Sequence, residues 1–199
     1  MTADLTAPLV VERIGRDDLS LRALAVLRMT VFRTWPYLYD GSLDYEANYL
    51  EEFLGTQDAI FIVARVGEIL VGMATASPMA TQSDVIKAPF LDQGVDISTL
   101  YYFGESVLLP RFRGQGIGHR FFDKREAAAL AAGADSTAFC AVVREKNDPR
   151  RPDEARDLAG FWQKRGYREA PRYDTQLSWK EVGEMRESEH LMRFWVKKF

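Results

Sequence analysis

Hydrophobic positions along this chain alternate between two periods, and the switches between them mark its elements. Residues 9–14 form a short apolar run that reads as a strand. Asp17 or Asp18 can cap a helix in which Leu21, Leu24, Leu27 and Val31 recur at helical spacing to about residue 33. An aromatic loop over 35–41 breaks that pattern, and a second helix is predicted over 44–54 with Gly55 closing it. Two β-rich runs, 59–66 and 68–75, flank Gly67 and predict an antiparallel hairpin. Periodicity is weak between 77 and 98. An irregular connection of that length inside a compact domain is more often functional than idle.

A further apolar and aromatic run, 101–109, predicts a strand stopped by Pro110. The basic, glycine-rich stretch 111–118 comes next, then a helix-compatible run to Ala132 with Gly133 as its stop. Residues 137–143 read as a buried strand, 144–154 as a polar loop, and 155–165 as a helix ended by Gly166. Two last strands are predicted over 175–180 and 191–196, joined by a charged turn. Together these predict a mixed α/β fold with helices able to cover both faces of one sheet, in a single domain spanning residues 1–199.

Composition narrows the classes. Hydrophobic content of 47% and charged content of 28% are ordinary for a soluble globular chain. A net charge of -3 gives no support to nucleic-acid binding, which calls for a basic face. One cysteine makes no internal disulfide, and no C-x-x-C or histidine pair suggests a metal site. The first five residues lack the pattern of a signal peptide, and no apolar run nears the ~20 residues of a membrane helix. The expectation is a cytoplasmic protein in a reducing compartment.

The chemistry concentrates at Arg113-Gly114-Gln115-Gly116-Ile117-Gly118. A strand, a glycine-rich turn and a helix start, in that order, make an anion cradle from backbone N–H groups and the positive end of the helix dipole. The dinucleotide fingerprint fails because its third glycine is misplaced, His119 coming directly after Gly118. The P-loop fails because the turn holds no lysine. What fits is the Q/R-x-x-G-x-G/A motif, and the chain resembles the GNAT superfamily of acyl-CoA N-acyltransferases in that motif and in element order along nearly its full length.

The resemblance implies a mostly antiparallel sheet of about six or seven strands and acetyl-CoA as co-substrate, with no metal. It assigns Arg113, Gly114, Gln115, Gly116, Ile117 and Gly118 to the coenzyme A pyrophosphate, and Val107 and Leu108 to backbone pairing with the pantetheine arm. Asn147, after the next strand, matches loosely a family asparagine near the pantetheine. Arg111 either meets phosphate or is solvated. The expected acceptor is a primary amine of a small molecule or peptide, attacked directly in a ternary complex, with no nucleic acid or membrane partner; a homodimer is left open.

A thioester is already activated, so the remaining tasks are a neutral amine and a polarised carbonyl. A lysine-like amine of pKa about 10.4 costs roughly 4–5 kcal/mol to deprotonate at pH 7, and an α-amine at about 8 roughly 1–1.5. Glu105, in an apolar strand eight residues before Arg113, is the candidate general base. The alternative is a glutamate satisfied by a neighbouring arginine. The family's usual acid is a tyrosine in a pattern like F-Y-x-K-x-G-F. Here Phe161-Trp162-Gln163-Lys164-Arg165-Gly166-Tyr167 places Trp162 there, and an indole cannot serve as an acid. That departure leaves open that the thiolate departs unprotonated or that water or Tyr102 serves as the acid, and it keeps open a catalytically idle acyl-CoA-binding sensor module.

Other residues carry weaker signals. Cys140 reads as a small buried thiol, since neither His119 nor His190 falls in an activating pattern. Arg125 sits on an inward stripe and either pairs with Glu105 or, as preferred, snorkels to the edge. Tyr167 reads as core, and Arg150 with Arg151 as a solvated pair. Tyr37, Tyr39, Asp40, Glu46 and Glu51 are candidates to attract an amine, or else core aromatics and a solvated helix face.

Overall fold

The structure, a computed structural model, describes residues 7–15 and 20–199; the capping aspartates Asp17 and Asp18 lie outside them. The fold is mixed α/β with mostly antiparallel strands. Nine strands occur among the described residues, more than the six or seven expected. The described chain divides into two compact units, one built from residues 1–31, 41–77 and 103–133, the other from 32–40, 78–102 and 134–199.

In the first unit β1 (Leu9–Ile14) pairs antiparallel with β2 (Ile60–Val66), and β2 with β3 (Ile69–Pro78) across the Gly67 turn. Gly67 has φ of +55°, which explains glycine at that turn. β5 (Ser106–Leu108) pairs with the other side of β3. β2 is buried at nearly every position, as a strand covered on both faces must be. Helices α1 (Leu21–Phe32) and α2 (Leu43–Gly55) supply Leu24, Leu27, Leu50 and Phe53 to this core. The Ser42 hydroxyl caps α2 by accepting from Tyr45 N–H. Helix α4 (Ile117–Ala131) packs on β1 and β2.

In the second unit β4 (Leu100–Tyr102) runs parallel to β6 (Ser136–Val142), which pairs antiparallel with the long β9 (Glu187–Lys198). β7 (Arg168–Glu169) and β8 (Thr175–Lys180) both pair with β9. Alternation sorts the side chains of β6 and β9. Ala138, Cys140, Met192 and Phe194 join Ile86, Phe90, Tyr102 and Trp179 in one cluster. Phe139 and Trp195 turn the other way to meet Trp162 and Tyr167.

Four expectations need correction. The stretch 77–98 is not irregular: it holds a short 3-10 turn and helix α3 (Asp84–Leu91). Pro89 hides that helix in the sequence, because it cannot donate to the Val85 carbonyl four residues back. Thr175 supplies the missing donor, its Oγ1 lying 2.7 Å from Val85 O. Helix α5 is only Ala159–Lys164, since the Asp157 carboxylate intercepts the Ala159 N–H at 2.8 Å and sets the start there. The last strand is twelve residues long and has β7 as an unforeseen partner.

The fourth correction bears on the site. The predicted strand 101–109 breaks at 103–105, where Gly104 N–H and Arg125 both donate to Thr75 O while Thr75 N–H donates to Glu105 O. Two residues thus oppose one, a β-bulge. Thr75 Oγ1 takes the Glu105 N–H at 3.1 Å. A Cβ on Gly104 would stand 2.6 Å from that same Oγ1, so only glycine fits. Among the described residues no helix is long and apolar enough to cross a membrane.

Gly104→Ala should therefore cost about 1–3 kcal/mol of stability by overpacking. In a Thr75→Ala background, where the hydroxyl is gone, the same change should cost less than half as much. Urea unfolding of the two singles and the double checks this, and additive losses would contradict it.

Candidate active site

The bulge places Glu105 beside two helices of its own unit. Its carboxylate is buried, with Arg28 Nη1 at 2.6 Å from Oε2 and the Tyr49 hydroxyl donating to the same oxygen at 3.3 Å. Arg28 also donates through Nε to Glu46 Oε2, and Glu46 is fully buried. Its guanidinium lies 4.3 Å over the Tyr49 ring. Burial penalises the Arg28 charge, but Glu105, Tyr49 and Glu46 outweigh that penalty and hold it more firmly protonated than an ordinary arginine. Burial, and after it the Glu105 carboxylate, push the Tyr49 hydroxyl above its usual range, so it stays a donor. Glu105 Oε1 is buried and accepts no hydrogen bond from the described residues.

Arg125 does not snorkel. It is 1% exposed and donates to the carbonyls of Phe121, Thr75 and Glu105 and, at 2.8 Å, to Ser106 Oγ. It meets Glu105 at the backbone and braces the bulge that aims the side chain. Phe103 and Phe122 stack on its guanidinium at 4.5 and 4.8 Å.

The glycine-rich turn lies in the same unit. Gly114 and Gly116 both have φ of +77°, and a Cβ built on either meets nothing within 4 Å. Here conformation demands glycine, and the space above the backbone is open. Helix α4 starts directly after Gly116, and no side chain caps it. Its first N–H groups and dipole end therefore face that space, as a pyrophosphate requires. Gln115 and Arg113 are exposed, Gly118 is half-buried, and Ile117 is buried, leaving its backbone for any ligand contact. Gln115 Nε2 donates to Arg111 O and Arg113 Nε to Leu108 O, tying the turn to β5. Arg111 rests on the Phe112 ring.

On β5, the register and the Leu109 N–H bond to Val71 O fix which residues face β3. Alternation commits the backbone groups of Val107 to Met73, so Val107 does not pair with the pantetheine arm as expected, and directs those of Leu108 away from β3. These residues fit a coenzyme A donor in one unit: a cradle with open space, an uncapped helix start and an outward-facing strand edge.

The remaining candidates belong to the second unit. Asn147 is exposed, in the turn after β6. Trp162 is packed against Phe139 and Trp195 at ring distances of 5.1 and 5.0 Å. Tyr167 is core, its hydroxyl 3.0 Å from Thr137 Oγ1. The Tyr102 hydroxyl lies 3.2 Å from Cys140 Sγ, and burial pushes that thiol up to about 11. Asp40 is bound by Lys180 and Arg33, which hold its carboxyl below the usual range. The Tyr37 carbonyl accepts from Trp179 and Arg144, and its ring packs on Phe32. Arg150 is exposed, as expected, but it is also paired, with Asp148 and Glu181, and Arg144 joins them at Glu181. Back in the first unit, Glu51 is exposed, whereas Glu46 is no solvated face.

Comparison with known proteins bears on the family and the fold. The profile of the acetyltransferase (GNAT) family matches residues 27–167, more than half of the chain. The chain belongs to the GNAT acetyltransferase family. Solved structures of the same fold include the PaiA N-acetyltransferase of Thermoplasma acidophilum in complex with coenzyme A, at 14% identity and TM-score 0.57, covering 96% of this chain and 99% of that one. A ribosomal-protein-alanine N-acetyltransferase from Brucella melitensis aligns at 12% identity and TM-score 0.62 over 96% and 99% of the two chains. An acetyltransferase from Streptococcus agalactiae 2603 aligns at 15% identity and TM-score 0.60 over 96% and 98%. At such identities the likeness is one of fold. Family membership supports acetyl transfer, with an acyl-CoA as donor, for this GNAT chain.

Arg28 and Tyr49 were missed in the sequence. Arg28 lies four residues after Leu24 and three before Val31, on the apolar stripe of α1, and a charge on that stripe was the available signal.

Gly116→Val should abolish the calorimetric heat of coenzyme A binding, while lost left-handed backbone preference costs the fold about 1–2 kcal/mol. Retained binding would refute the cradle. Iodoacetamide should leave Cys140 unmodified in the native protein at pH 8 and label it once urea unfolds the chain, since a buried thiol held near 11 forms little thiolate.

Proposed function

We propose that this GNAT member transfers an acetyl group from acetyl-CoA to a primary amine of a small molecule or peptide, by direct attack in a ternary complex. The observation that carries the reading is the Glu105 carboxylate: Oε2 is held by Arg28 and Tyr49, while Oε1 is buried with no hydrogen-bond donor among the described residues. A base needs one fixed oxygen and one free lone pair aimed at the proton it takes.

The donor supplies an acyl group already activated as a thioester. The amide donors of Gly114 to Gly118 and the start of α4 would hold its pyrophosphate, with Arg113 nearby, and Leu108, whose carbonyl already accepts from Arg113, would offer its backbone N–H to the pantetheine arm. Glu105 Oε1 takes a proton from the attacking amine, directly or through one water. The nitrogen lone pair forms the N–C bond, and the C–S bond breaks to release thiolate. A thiol of pKa about 8.5 leaves readily near neutral pH, so no acid is required at Trp162. A second reading, an idle acyl-CoA-binding module, draws on the packing of Trp162 where the family has its tyrosine.

Release of free thiol from acetyl-CoA, screened over small amines and peptide amino termini, tests both. Turnover supports the transferase; binding heat with no acceptor-dependent thiol supports the idle module. With a lysine-like acceptor, Glu105→Gln should lower kcat/KM by about 10²–10⁴ at pH 7. Full activity across pH 6 to 9 would remove Glu105 as base.

A further inference from the structure

Glu46 is an expensive residue to keep where it is. It is fully buried on α2, and only one of its oxygens is engaged. Its partner, Arg28, already has a carboxylate in Glu105. One guanidinium therefore faces two buried carboxylates, whose second oxygens, Glu46 Oε1 and Glu105 Oε1, accept nothing from the described residues. With all three ionised, the trio carries an excess negative charge away from water.

The consequence concerns a proton arriving at Glu105. If Arg28 had Glu105 as its sole carboxylate, neutralising Glu105 would strand a buried guanidinium, which is strongly unfavourable. With Glu46 on the Nε side, the same event leaves Arg28 and Glu46 as a compensated pair and discharges the excess. The other groups packed against Glu105 do not undo this. Tyr49 from α2 is a neutral donor, Thr75 from β3 meets the backbone N–H, and Arg125 from α4 meets the backbone carbonyl.

We propose that Glu46 is a positioning residue for proton transfer: by occupying Arg28 it keeps Glu105 able to accept a proton despite its ion pair. This rests on the base role proposed for Glu105. Both carboxylates face the same guanidinium, so removing one changes the charge that surrounds the other.

The test is an infrared difference titration of the full chain, reading the carbonyl band of protonated carboxylic acid, with near-ultraviolet circular dichroism to show that each variant is folded. The band absent in Glu105→Gln belongs to Glu105. In Glu46→Gln it should appear at a pH lower by roughly one unit or more, the size of a charge-pair effect. Glu46→Asp should restore it toward the parent value, and Arg28→Gln should move it the opposite way. The proposal is overturned if the band holds its position or rises in Glu46→Gln, or fails to rise in Arg28→Gln. It is equally overturned if no such band develops before the acid transition. Failure of the base role reads differently: Glu105→Gln would keep its thiol release while the band behaves as expected.

Discussion

The architecture around the candidate site depends on one hydroxyl. Thr75 Oγ1 holds the Glu105 N–H in the space that a side chain on Gly104 would need. The bulge so formed interrupts the strand, and Arg125 fills its carbonyl-rich concavity. A buried cation bound mainly to carbonyls is tolerable only when several oxygens converge on it, and the bulge supplies that convergence. Local backbone irregularity thus becomes a fixed direction for a carboxylate.

That direction sets the charge arrangement. Glu105 reaches Arg28 on α1 and Tyr49 on α2, and Arg28 reaches Glu46. Each bond joins two different elements. Removing Arg28 would leave two buried carboxylates without their counter-ion, a loss typically far larger than the net gain from forming the pair. The cluster is therefore better understood as a constraint on orientation and protonation than as a source of stability.

Legibility in the sequence tracked locality. The Gly67 hairpin, the Gly133 stop and the glycine-rich turn at 113–118 depend on conformations that only nearby residues dictate, and all three were readable. Cys140 and Tyr167 were correctly placed in the core because small or aromatic residues in apolar runs seldom do otherwise. The bulge went unseen although an isolated glycine inside a strand pattern was there to suggest it. Helix α3 was hidden by Pro89, whose cost is met by Thr175 far along the chain. The Arg28 cluster was illegible for the same reason: Glu46 is eighteen residues away, and no period links Glu105 to either.

The aromatic residues are distributed unevenly, with an optical consequence. Trp35, Trp162, Trp179 and Trp195 are all four of the chain's indoles, and every one belongs to the second unit. Tryptophan emission consequently reports on that unit, where Phe139 and His190 crowd the fluorophores. The half carrying the glycine turn and the buried acid is dark at those wavelengths, and its tyrosines, Tyr45 and Tyr49, are the native chromophores that watch it.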